Sequence, residues 1–213
     1  MNARNATAVM ILLVFATITA SLVLYPHLSD QLPVHWNWSG QPDGWADKSS
    51  AAYLMPGVIA GLSVLMHLLP RFSPEPFPVK PFAPTYYYVL VVVAALMAHI
   101  HAVMLLCGLS TATDLSRLLL SGLFLFMGLI GNVLGKVRRN LWMGIRTPWT
   151  LASDAVWIPT HRLAARLLFL AGVISTAAIW AGVPPAACYT LFGVALLVPV
   201  VESYRLARRM GGQ

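Results

Sequence analysis

Charge is what this sequence has least of. Its 213 residues include 14 basic and 7 acidic side chains, 10% in all, where a soluble domain carries about 25%. Hydrophobic residues make up 58%. That balance excludes a soluble enzyme, a disordered chain and a coiled coil, and leaves a polytopic membrane protein. Cysteine is nearly absent too. Cys107 and Cys188 sit in apolar stretches and form no C-x-x-C pair, so neither a disulfide framework nor a thiolate metal site is indicated. H-E-x-x-H, G-x-S-x-G and a glycine loop with a Walker lysine are all missing. No catalytic residue, metal site or cofactor is therefore expected. An intramembrane enzyme acting on lipid or peptide, with His35 or His161 as base, stays as an alternative.

Six apolar stretches are present, near Thr7–Tyr25, Ala51–Leu69, Tyr86–Leu109, Leu118–Gly135, Leu163–Val183 and Ala186–Tyr204. Each approaches the ~20 residues that cross a hydrocarbon core, and helix satisfies the backbone there. The expected fold is an all-α integral membrane bundle of about six spans. The first stretch exceeds a signal-peptide core of ~7–15 residues and lacks a clean cleavage site, so it reads as a retained span. On one side of the membrane fall 12 Lys and Arg residues and on the other 2, Lys48 and Arg117. The positive-inside rule then puts both termini in the cytoplasm. The basic balance is accounted for by topology and by membrane lipid headgroups, with no nucleic acid partner.

Two regions are expected. Residues 1–83 hold two spans, an outer loop at 26–50 and a stiff, extended connector rich in proline (Pro74, Pro76, Pro78, Pro81, Pro84). Residues 84–213 hold four spans and an inner loop at 136–160, and the short turn Val183–Pro185 makes the last two spans a hairpin. Split at the middle, the chain has two three-span halves of opposite orientation, the layout of a small-solute or lipid transporter, which is the second functional alternative.

The outer loop contains His35, Trp36, Asn37, Trp38, Gly40, Asp43 and Lys48. Its tryptophans suit a membrane interface, and Gly40 and Pro42-Asp43-Gly44 are turn chemistry. His35 with Asp43 and Asp47 has ligand chemistry without short ligand spacing, so the reading is a compact surface loop holding no metal.

The inner loop is richer. Gly131-x-x-x-Gly135 permits close helix contact. Asn132, between those glycines, needs a partner on another helix. Thr147-Pro148 breaks any helix, Ser153 caps a short interfacial helix through Trp157, and Thr160 caps the fifth span. Arg138, Arg139, Arg146, Arg162 and Arg166 share one surface with His161, and such guanidinium groups can hold a phosphate or carboxylate. Arg146, enclosed by Gly144, Pro148 and Trp149, is expected to turn back to Asn132, Glu202, Asp154 or the carbonyls ending the fourth span. Arg139 is expected to be an ordinary positive-inside charge. Within the spans, His99 and His101 lie ~200° apart on their helix and cannot chelate one ion, but either can meet the outer loop. Glu202 pairs locally with Arg205. Tyr86, Tyr87 and Tyr88 read as an interfacial belt.

The stretch Gly144-Ile145-Arg146-Thr147-Pro148-Trp149-Thr150-Leu151, with Asn140 before it and Trp157…Thr160-His161-Arg162 after it, resembles the signature of the SdpI family. The outer loop, Leu32-Pro33…His35-Trp36-Asn37…Gly40…Pro42-Asp43…Lys48, is similar to the uncharacterised domain that often precedes that signature. The two blocks cover the first two spans and Gly131 to about Gly172. Departures are Arg139 where a proline is common, Ala165 where a glycine is usual, and Ile158-Pro159 in place of a more polar pair. The resemblance implies a multi-pass protein of the bacterial inner membrane that gives immunity to a secreted toxic peptide. It implies that peptide as ligand and allows a cytoplasmic regulator as partner.

Overall fold

The computed structural model describes residues 1–75, 77–109 and 114–211. Among these residues seven α-helices form: α1 (Ala3–Leu24), α2 (Lys48–Leu68), α3 (Ala83–Gly108), α4 (Leu115–Leu134), α5 (Pro148–Ala152), α6 (Asp154–Trp180) and α7 (Pro185–Gly211). Among the described residues, the six other than α5 are long and apolar enough to cross a membrane. The chain is a polytopic membrane bundle, as its apolar stretches require.

Helix starts precede the apolar runs because polar caps lie outside them. The Asn2 side chain accepts from the Asn5 amide at the start of α1, and Asp114 accepts from Arg117 at the start of α4. The largest shift is at α6. Ser153 caps a helix as expected, but that helix runs through Pro159 into the fifth span without a break. Thr160 is no cap; it lies inside α6, and its hydroxyl donates to the Val156 carbonyl at 2.7 Å. Pro159 lacks an N–H and so removes one intrahelical bond, a loss that proline within a membrane helix can sustain.

α1, α2 and α3 pack on one another, α6 lies between α4 and α7, and α3 against α4 joins the two groups. Glycines set the α4–α6 crossing. A Cβ at Gly172 would overlap the Gly128 backbone, and one at Gly131 would meet the Phe169 amide at 2.5 Å. Gly135 faces Ala165, whose Cβ would stand 3.4 Å from a Cβ at the glycine, so Ala165 fits here without strain. Phe124 stacks on Phe192 at 5.3 Å between α4 and α7. Tyr86 departs from a simple interfacial belt: it is buried, and its hydroxyl donates to the Met66 carbonyl at 2.5 Å.

The segment between α1 and α2 is an antiparallel hairpin, β1 (Gln31–Trp36) and β2 (Pro42–Asp47), pairing Gln31 with Asp47, Leu32 with Ala46 and Pro33 with Trp45. A bulge beyond Pro33 shifts the register. Leu32 is fully buried with Leu28, Ala51, Ala52, Met104 and Leu105, and any Cβ at Gly108 would overlap its side chain. The hairpin is thereby seated on the ends of α2 and α3. The connector after α2 is less extended than its prolines suggest, with 3-10 turns at Leu69–Phe72 and Lys80–Phe82. Pro76 lies outside the described residues.

Candidate functional site

At the end of the bundle where α4 stops and α6 starts, the motif residues are folded on one another. Asn140 is fully buried and uses both ends of its amide: Oδ1 accepts from the amides of Trp142 (2.7 Å) and Met143 (2.9 Å), while Nδ2 donates to the carbonyls of Arg138 (2.8 Å) and Met143 (3.1 Å). Such an amide fixes the loop as a backbone turn would. His161, also fully buried, lies parallel to the Trp157 ring at 3.9 Å. The Ile145 amide donates to His161 Nε2 at 2.9 Å, so Nε2 is an acceptor and Nδ1 carries the proton that goes to the Trp157 carbonyl, 2.8 Å away. Gly144 covers that ring with a φ of 107°, and a Cβ there would overlap His161 Nε2. Trp157 donates to the Val137 carbonyl at 2.8 Å.

Thr147 and Thr150 form a reciprocal capping box around α5, with Pro148 in its first turn. Thr150 also donates to the Ile145 carbonyl at 2.8 Å. Trp149 ties α5 to α7 through Ser203 (2.8 Å), and Trp142 ties the loop to the connector through Ser73 (2.6 Å). Neither serine carries a sequence signal.

Two residues here differ from expectation. Asn132 is exposed in the last turn of α4 and makes no side-chain hydrogen bond to another helix among the described residues. Arg146 is exposed and donates to the Leu141 carbonyl of its own loop, with no contact to Asn132, Glu202 or Asp154. The organising guanidinium belongs to Arg139. It donates to the carbonyls of Leu151 (3.1 Å) and Ala152 (3.0 Å), which end α5, pairs with Asp154 at 3.3 Å at the start of α6, and lies over the Phe77 ring. Glu202 pairs with Arg205 at 2.8 Å. Arg138, Arg162 and Arg166 are exposed, so the five arginines do not converge on one enclosed anion site.

The hairpin occupies the other end of α4. His35 Nδ1 lies 2.6 Å from Asp43 Oδ1, and both side chains are exposed. Among the described residues no third His, Cys, Asp or Glu gathers with them. Asn37 shapes the tip, accepting from the amides of Ser39 (2.9 Å) and Gln41 (3.1 Å), and Gly40 closes it at a φ of 78°. Lys48 donates to the Leu28 carbonyl at 3.3 Å and stands 3.4 Å from Asp30. Trp36 is half-buried against the hairpin core, whereas Trp38 is 77% exposed. Gln41 donates to Ser116 of α4 at 2.8 Å. The two histidines of α3 face different neighbours. His99 Nε2 is 3.0 Å from the Leu118 carbonyl of α4; His101 is fully buried against α1, 3.0 Å from Ser21 Oγ and 3.2 Å from the Thr17 carbonyl. Neither reaches the hairpin through a hydrogen bond.

The two motif blocks therefore lie at opposite ends of the bundle, one spent on its own bonds and one turned outward. Comparison with known proteins separates the same blocks. Residues 136–203 match the SdpI/YfhL protein family. Residues 12–60 match a domain of unknown function, DUF1648. The family that the sequence motif resembles is thus the one whose model matches residues 136–203. Immunity protein SdpI of Bacillus subtilis (strain 168) is 23% identical over 204 residues, covering 95% of this chain and 96% of that protein. No solved structure gives a significant match.

Proposed function

We propose that this protein protects a bacterial cell against a secreted, membrane-active peptide by binding that peptide at the hairpin end. The observation that carries the reading is the end-to-end similarity to an immunity protein, which takes in both motif blocks and all six spans. The geometry agrees with it. The motif loop consumes the buried polar groups of Asn140, Thr150 and His161 in internal bonds and so acts as a scaffold, while the hairpin turns Trp38, Asp43 and Trp45 outward. In this reading the protein sits in the cytoplasmic membrane with both termini inside and the hairpin outside, an orientation that the 12 to 2 distribution of Lys and Arg supports. A peptide secreted by a neighbour then meets the hairpin first. The exposed arginines at the opposite end are the surface a cytoplasmic regulator would find.

The test is survival. A peptide-sensitive bacterium with and without the protein is exposed to a panel of membrane-active peptides, and survival should rise for at least one of them. Trp38→Ala should lower that protection at unchanged membrane abundance, since the side chain makes little packing contact. Survival unchanged across the whole panel overturns the reading.

A further inference from the structure

Among the described residues, nothing in the bundle pairs the outer edge of the hairpin at Trp45. The Lys48 amide donates to the Asp30 carbonyl at 2.9 Å, and pairing then alternates along the strands. Leu32 and Ala46 face each other across the ladder, whereas Pro33 and Trp45 turn their main-chain groups to the outer edges; the Asp47 carbonyl is taken by the Ser50 hydroxyl at 3.0 Å as α2 begins. Proline at position 33 fits such a place because it has no amide to leave unpaired, and it blunts the β1 edge. β2 has no such block at Trp45, which is 52% exposed. Along β2, Asp43, Trp45 and Asp47 are exposed, while Gly44 and Ala46 face inward.

Charge narrows the occupant. The hairpin end carries Asp30, Asp43, Asp47 and Asp114 against Lys48 and Arg117. Both cations are already engaged, Lys48 with Asp30 at 3.4 Å and Arg117 with Asp114 at 3.0 Å. Asp43 has His35 beside it, and Asp47 is in no ion pair among the described residues. What remains uncompensated is acidic and lies beside exposed tryptophan.

We propose that the free edge of β2 docks an extended, cationic segment of a peptide as a third strand. This rests on the reading above that the partner is a peptide, and adds its charge and its binding mode. Main-chain hydrogen bonds to Trp45 hold the strand, Asp43 and Asp47 select lysine or arginine, and Trp45, on the same face, packs on the aliphatic stem of the cation opposite it.

Dye-labelled peptides test it, read by fluorescence anisotropy with the full-length protein in zwitterionic nanodiscs and empty nanodiscs as blank. An alternating lysine–leucine peptide should bind and its glutamate–leucine counterpart should not. N-methylation of one alternate set of its amides should weaken binding about tenfold, and of the other set should not, because a docked strand turns one set toward the edge. The double variant Asp43→Asn, Asp47→Asn should abolish the preference for lysine. Equal binding of both charge types, or indifference to both methylation patterns, overturns the proposal. Survival separates the two readings: protection without lysine–leucine binding sinks the docking mode alone, and docking without protection against any peptide sinks immunity alone.

Discussion

Arg139 and Arg146 carry the same charge in the same loop, and the fold uses them differently. Arg139 spreads its fork over two carbonyls at the end of α5 and a carboxylate at the start of α6, whereas Arg146 projects outward. Lysine keeps the charge but cannot make that fork. Arg139→Lys should therefore lower the thermal stability of the detergent-solubilised protein by about 1–2 kcal/mol. Arg146→Lys should stay within about 0.5 kcal/mol. Thermal unfolding of both variants side by side checks this, and an equal loss would show that neither guanidinium organises the loop. The sequence points to the wrong arginine for a physical reason. Glycine, proline and tryptophan around Arg146 announce a bend, but the partners of Arg139 are carbonyls freed only because Thr147 and Ser153 cap successive helices there. Asn140 and His161 were legible as motif members, yet their role as buried bonding centres depends on a loop path that composition does not reveal.

Among the elements, the α4–α6 pair depends most on the absence of side chains. Gly128 and Gly172 cross backbone to backbone, and backbone cannot swing aside. Gly193 on α7 would meet nothing within 4 Å if it gained a Cβ. Gly172→Ala should thus reduce the folded, monodisperse yield after extraction severalfold, and Gly193→Ala should leave it unchanged. Size-exclusion profiles of the two variants decide it; a tolerated Gly172→Ala would mean the helices can separate at little cost. The spans themselves were readable, because a run of ~20 apolar residues has few other fates. The hairpin was not. Pro33, Pro42 and Gly44 interrupt the alternation that marks a strand, and burial of Leu32 against α2 and α3, a tertiary contact, overrides that local signal. Pro159 misled in the opposite sense, marking a boundary where the helix continues.

For the whole molecule, orientation is the property from which the functional reading follows. Single cysteines at Ser39 in the hairpin tip and at Ser153 before α6 should label from opposite sides of the membrane, Ser39 from outside intact cells. Labelling of both from outside would contradict the charge asymmetry. The 1–83 and 84–213 division of the sequence crosses a packed interface, since α3 lies against α1 and α2 as well as α4.

The bond from Gln41 to Ser116 fastens the hairpin tip to the first turn of α4. The helix is 20 residues, about 30 Å, long; it passes the glycines that mesh with α6 and ends at the loop held by Asn140. A stiff rod gripped at both ends is a lever: a ligand that shifts the tip sideways must either break that clip or tilt the far end by a matching amount. The hairpin is inserted between the first two spans, yet mechanically it is a handle on the fourth.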